Sequence, residues 1–175
     1  MALLDRPELL YRWARRKLAT QPIIRRVCIW FIARPQRAYQ PTLLQRRLSS
    51  AEIGQMGEWI ACRWLRSSGR KVFTRNFKAV HGGEVDIVAR HGKVLTFVEV
   101  KTRTRDGPHR PADAVGPEKQ RLIIRGARDW LAALSPMEVP FRFDIAEIIL
   151  IPGELPRVHI IENAFHMPDN STLGR

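Results

Sequence analysis

The chain has 175 residues, 45% of them hydrophobic and 27% charged, which is enough to bury a core and excludes a disordered tail. Its 11 Gly and 12 Pro occur without a low-complexity tract, and two cysteines, Cys28 and Cys62, cannot build a disulfide framework or a zinc finger. A formal charge of +13 implies partners that carry phosphate, meaning nucleic acid or anionic lipid. Reduced cysteines and the lack of any apolar run of about 18 residues lead us to expect a cytoplasmic protein with no integral membrane segment.

The charge is uneven. Residues 1–50 hold 11 of the 30 basic residues against only Asp5 and Glu8, a net +9, whereas residues 51–175 carry a net +4. A boundary near Leu48 follows, with a basic, partly helical extension over 1–48, a main domain over 49–167 and a short tail over 168–175. Within the extension, residues 7–19 read as a short helix. Residues 23–33 read as a second, with Ile23, Val27, Trp30 and Phe31 on the apolar side. Such an arm suits nucleic acid or a membrane surface, or packs on the main domain as an accessory.

Ser49-x-x-Glu52 is a capping box, and Ile53, Met56, Ile60 and Trp64 follow at helical spacing, so a helix is predicted over 51–67 with Gly69 just past its end. A strand over 71–75 follows. Two further strands, 84–89 and 94–100, flank His91-Gly92, which reads as their hairpin turn. Pro117 is placed to open another helix, with Ile123, Ala127, Trp130 and Leu134 on one face and Arg121, Arg125 and Arg128 on another. Strands over 142–151 and 158–161 are joined through Pro152-Gly153. The order α-β-β-β-α-β-β predicts an α/β or α+β domain with a mixed sheet flanked by helices.

The chemistry concentrates in the hairpin. A turn at His91-Gly92 sets Asp86 opposite Phe97 and Glu84 opposite Glu99, and alternation then puts Glu84, Asp86, Glu99 and Lys101 on one face. Clustered carboxylates repel and resist burial unless a cation neutralises them. Mg²⁺, or Mn²⁺, suits one or two carboxylates completed by water and substrate phosphate, with Lys101 placed to act on charge at the phosphorus. A solvated sheet face with local ion pairs has the same alternation. Against it stand the apolar strand around Glu99 and the basic residues Arg103, Arg105, Lys119, Arg121, Arg125 and Arg128, which suit a phosphate-binding rim; Gln120 is a further candidate contact there or a plain surface residue. His81, His91, His109, His159 and His166 form no ligand pair. Cys62 reads as core, Asp144 as structural, and Thr102 as a further candidate contact to the substrate backbone.

Gly57-Glu58-x-x-Ala61, Arg75-Asn76-Phe77, Gly83-Glu84-Val85-Asp86-Ile87-Val88, Phe97-Val98-Glu99-Val100-Lys101-Thr102-Arg103, Lys119-Gln120, Arg142-Phe143-Asp144 and Asn163-Ala164-Phe165 occur in that order. Over residues 50–166 this string resembles the YraN-type family of uncharacterised bacterial proteins, a predicted endonuclease-like group. The resemblance implies a restriction-endonuclease-like fold and the PD-(D/E)xK nuclease pattern, in which Asp86, Glu99 and Lys101 match the acid, acid and lysine. It also implies that Glu58 matches a helix glutamate that archaeal Holliday-junction resolvases and other relatives place beside the metal. The metal set so implied is Glu58, Asp86 and Glu99. Val85 departs from the usual proline before the aspartate. The function expected is a Mg²⁺-dependent nuclease acting on DNA or structured nucleic acid. A homodimer is compatible with it, since junction-cleaving relatives of this fold work as dimers. The competing expectations are a non-catalytic nucleic-acid-binding module of the same fold and a membrane-peripheral interaction protein acting through the arm.

Overall fold

The computed structural model describes residues 22–105, 115–135 and 138–168. In chain order these form α1 (Pro22–Ile32), a two-residue-strand hairpin of β1 (Thr42–Leu43) and β2 (Arg46–Arg47), α2 (Ser50–Ser67), β3 (Lys71–Lys78), β4 (Glu84–His91), β5 (Val94–Arg103), α3 (Pro117–Ala132), β6 (Phe141–Ile149) and β7 (Arg157–Phe165). From α2 onward the order is the expected α-β-β-β-α-β-β. The strands form one mixed sheet in the order β3-β4-β5-β6-β7, antiparallel except for the parallel β5–β6 pair. The chain between that pair contains α3, because parallel neighbours need a long crossover.

Alternation along the strands sorts side chains onto two faces. Ile87, Ala89, Val98, Ala146 and Ile148 pack with Ile60, Ala61 and Leu65 of α2. Val88, Leu95, Phe97, Phe143 and Ile145 pack with Ile123 and Ala127 of α3. The sheet therefore lies between two helices. No helix among the described residues is long and apolar enough to cross a membrane.

Local signals explain the helix ends. Ser49 Oγ accepts the Glu52 N–H at 3.3 Å, and Glu52 Oε2 accepts the Ser49 N–H at 2.8 Å. At the other end the Gly69 N–H reaches Arg66 O and the Arg70 N–H reaches Leu65 O, a Schellman closure that needs the positive φ of Gly69, +82°. Pro117 opens α3 at its first position.

The described part of the extension packs on the main domain, one of the alternatives expected for it: Ile29, Ala33, Tyr39 and Leu48 belong to the same core as α2. Tyr39 also exchanges backbone hydrogen bonds with the β6–β7 connection, its N–H to Glu154 O and its carbonyl from Gly153 N–H, both at 2.8 Å. In α1, Ile29 is fully buried whereas Ile23 and Val27 are 76% and 50% exposed, so these two members of the predicted apolar stripe point outward, while Trp30 meets Trp59 of α2 edge-on. The helix expected over 7–19 and the tail from 169 lie outside the described residues, as does His109.

Candidate functional site

The turn between β4 and β5 is Gly92-Lys93, with His91 paired to Val94 and Ile87 to Val98. Gly92 takes the first central position, where its φ of +60° is tolerated; this moves the register by two residues from that expected with His91-Gly92. A two-residue move preserves the face of every side chain, so Asp86, Glu99 and Lys101 stay together. The β4–β5 ladder stops at Ile87↔Val98. Beyond it, the Asp86 side chain replaces a backbone partner: Asp86 Oδ2 accepts the Val100 N–H at 2.8 Å.

Glu99 is 2% exposed, at the centre of the sheet. Lys101 Nζ stands 3.0 Å from Glu99 Oε1, and Lys119 Nζ stands 3.5 Å from Oε2. Among the described residues Oε2 has no hydrogen-bond partner. Burial, and then the neighbouring Asp86 charge, push the Glu99 carboxyl above the ordinary glutamate range, against the opposing pull of Lys101 and Lys119.

Two close approaches bring the helices to this point. A Cβ on Gly57 would lie 1.9 Å from Thr102 Oγ1, so only glycine lets α2 come this near to β5 and set Glu58 beside the sheet. A Cβ on Gly83 would lie 2.1 Å from the Gly126 backbone nitrogen, which seats α3 directly on the start of β4. Phe77 against Trp130, with ring centroids 5.0 Å apart, anchors the same contact. Lys119 in the first turn of α3 thereby reaches Glu84, with Nζ 2.6 Å from Oε1. Burial lowers the Lys119 ammonium pKa, but the hydrogen bond to Glu84 and the charges of Glu99, Asp86 and Glu84 outweigh it, so the net direction is upward. The hydrogen bond from the same lysine holds Glu84 below its usual value.

Glu58 lies on the α2 side of Asp86. Its carboxylate is 3.5 Å from Arg75 and hydrogen-bonded by Asn76, which adopts a positive φ of +52° in mid-strand. The Arg75 guanidinium lies over the Trp59 ring, 3.5 Å from its centroid. Burial, then the Asp86 charge against these partners, raises the Glu58 pKa. Glu58, Glu84, Asp86, Asn76 and Lys78 line an open cleft of about 360 Å³. Among the described residues no group of three or more His, Cys, Asp or Glu is gathered as a metal cluster. Of the implied set, Asp86 stands beside both Glu99 and Glu58, and Glu58 is also paired with Arg75.

The basic residues divide. Arg121, Arg125 and Arg128 are exposed along α3. Arg103 instead pairs with the buried Glu147, Nε to Oε1 at 2.8 Å, and Gln120 donates its amide to Val115 O at 2.9 Å, bracing the start of α3. Lys119 faces the carboxylates rather than the rim. Asp144 is structural, as expected: buried, it accepts from Arg142 Nε at 2.9 Å and from the Asn163 N–H at 3.0 Å. Cys62 is fully buried in α2, and burial pushes its thiol pKa up. The partners of Glu58 were not assigned from sequence. The one signal for them was Asn76 inside an otherwise strand-like run, since asparagine tolerates the left-handed conformation better than its neighbours do.

Residues 57–148 match the model of the uncharacterised protein family UPF0102. The match spans Glu58, Asp86, Glu99, Lys101 and Lys119. The chain belongs to this family. A UPF0102 protein of Geobacter sulfurreducens is 44% identical over 115 residues, covering 66% of this chain and 89% of that protein. One from Geobacter metallireducens is 41% identical over 120 residues, covering 69% and 97%. One from Symbiobacterium thermophilum is 40% identical over 117 residues, covering 67% and 98%. These relatives are matched over nearly their whole length, so the remaining third of this chain has little counterpart in them. Their family is the YraN-type group that the motif string resembles.

Proposed function

We propose that this UPF0102 protein is a divalent-metal-dependent nuclease with a restriction-endonuclease-like core, hydrolysing phosphodiester bonds in DNA or another structured nucleic acid. The observation that carries the reading is Glu99: a carboxylate 2% exposed, beside Asp86, with Oε2 lacking a hydrogen-bond partner among the described residues. Such a group is expensive to bury, and although Lys101 and Lys119 offset part of that cost its carboxyl pKa stays raised, which a further cation at Oε2 would relieve. The donor set fits Mg²⁺ or Mn²⁺, hard ions that take one or two protein carboxylates and leave other positions to water and phosphate. Asp86 and Glu99 would hold it.

The metal, when bound, supplies Lewis-acid charge to the phosphate. The chain's own residues supply orientation and further charge. The Val100 N–H fixes the Asp86 carboxylate. Lys101 holds Glu99 Oε1 and presents an ammonium, 30% exposed, to charge that develops on phosphate oxygens. The exposed Arg121, Arg125 and Arg128 supply phosphate contacts that position the backbone without reading sequence.

The test is incubation of the full chain with linear and branched DNA and RNA in Mg²⁺, Mn²⁺ or EDTA. Cleavage by the wild type in metal, abolished by EDTA and by Glu99→Gln, is the expected result. Metal-independent binding without cleavage of any substrate would leave a nucleic-acid-binding module.

A further inference from the structure

The Glu99 carboxylate lies between two ammonium groups of different kinds. Lys101 is on the same strand and takes Oε1 at 3.0 Å. Lys119 comes from α3, across the sheet face, and stands 3.5 Å from Oε2, the oxygen that lacks a hydrogen bond among the described residues. Its true hydrogen bond goes elsewhere, to Glu84 Oε1 at 2.6 Å. The α3 backbone cannot retreat, because it is seated on Gly83 and its first turn is braced by Gln120. The lysine side chain can. It is 26% exposed, long and unbranched, and carries a point charge with no fixed fork geometry.

We propose that Lys119 is a displaceable internal counter-ion of this site. It pairs with Glu84 and Glu99 together, and it must give up Glu99 when a divalent cation takes that carboxylate, with Glu84 retaining it. Two cations cannot share Oε2 at contact distances in a half-buried site, where like charges repel far more than in water. The inference rests on the metal reading of Asp86 and Glu99. It adds that the metal affinity is set by competition with a lysine of the chain, so that the site discriminates against weakly charged cations and takes a divalent ion only at the expense of the Lys119–Glu99 pair.

Calorimetric titration of the full chain with Mn²⁺ tests it, on wild type, Lys119→Met, Glu84→Gln, the double variant and Glu99→Gln. An opposite charge within ~4–6 Å changes the proton affinity of a carboxylate by about one to three powers of ten, so Lys119→Met should bind Mn²⁺ about tenfold tighter or more. Glu84→Gln alone should weaken binding, because Lys119 then turns wholly to Glu99. It should have no effect in the Lys119→Met background. Circular dichroism melts check folding, and Lys119→Gln replaces the Met variant should that one unfold. Equal or weaker binding by Lys119→Met, with binding still abolished in Glu99→Gln, overturns this inference and leaves the metal reading standing. A loss on Glu84→Gln that persists in the double variant also overturns it, since Glu84 would then be a ligand. If Glu99→Gln binds like the wild type, the metal reading itself fails and this inference with it.

Discussion

Asp86 Oδ2 accepts the backbone N–H of Val100 at 2.8 Å, just past the last pair of the β4–β5 ladder. A side chain thus closes the hydrogen bonding of a strand at the point where two strands separate, and the same carboxylate stands beside Glu99 and Glu58. Structure and charge can be divided at this residue. Asp86→Ala leaves the half-buried Val100 N–H without its acceptor and should cost about 1–3 kcal/mol in urea unfolding. Asp86→Asn keeps an acceptor oxygen and should recover most of that. Both should lose Mn²⁺ binding in titration calorimetry, because both lose the charge. An Asn variant as unstable as the Ala variant would make the negative charge itself the structural requirement.

The raised pKa of Glu99 gives the second prediction. Burial is its main cause, followed by the Asp86 charge. A folded-state value above the unfolded one means that the native chain binds more protons over that window. Stability is then full below the unfolded value and is lost as pH rises through the folded one. Glutamine mimics the protonated acid. Glu99→Gln should therefore match the wild type below about pH 4 and exceed it in stability at neutral pH. Urea unfolding of both proteins in EDTA, from about pH 4 to 8, measures the difference directly. A Gln variant less stable at neutral pH would instead make Glu99 the centre of a stabilising ion pair with Lys101 and Lys119.

Much of this fold was legible because its signals are local. The Ser49/Glu52 box, the glycine after α2 and Pro117 each act within one turn of backbone, and each lies where the pattern puts it. The face shared by Asp86, Glu99 and Lys101 was legible for a related reason: a period of two survives a register error of two residues. The register itself was not, since it depends on which turn position Gly92 fills. Nor were the partners of the carboxylates. Whether Lys119 joins the phosphate rim or turns inward to Glu84 depends on how closely α3 approaches β4, and that depends on Gly83 and Gly126 meeting backbone to backbone. Arg103 likewise could not be assigned to Glu147 before β5 and β6 were known to be neighbours.

The helix α1 carries the third prediction. Hydrophobic spacing alone favoured Ile23 and Val27, but the chain buries Ile29 and Ala33 against α2, and Arg63 NH1 donates to the Ala33 carbonyl. Ile29→Ala should thus cost about 2–5 kcal/mol by the usual cost of emptying a core site. Ile23→Ala should stay within about 0.5 kcal/mol. Chemical denaturation of the two variants decides it. The same packing means that a truncation to residue 48 removes part of the core, so a change in its binding to nucleic acid would not by itself report on an arm.

The last prediction asks which cations hold the substrate. Arg121, Arg125 and Arg128 are exposed on α3, on the same element that brings Lys119 to the carboxylates, and the matched family region includes them. Arg103 is committed to Glu147, and Gln120 to Val115. On duplex DNA each neutralised phosphate contributes about −0.9 to the slope of log K against log salt concentration. If these three arginines each neutralise a phosphate, the triple Ala variant should flatten that slope by about 2–3 units. Single variants should each take roughly a third of the loss, independent of DNA sequence, because phosphate contacts position without specifying. Arg103→Ala should leave the slope nearly unchanged and should lower stability, because it strands the buried Glu147 carboxylate. Fluorescence anisotropy on one labelled duplex across a salt series, with urea unfolding of Arg103→Ala alongside, separates these effects. An unaltered slope in the triple variant would move the phosphate contacts off α3 altogether.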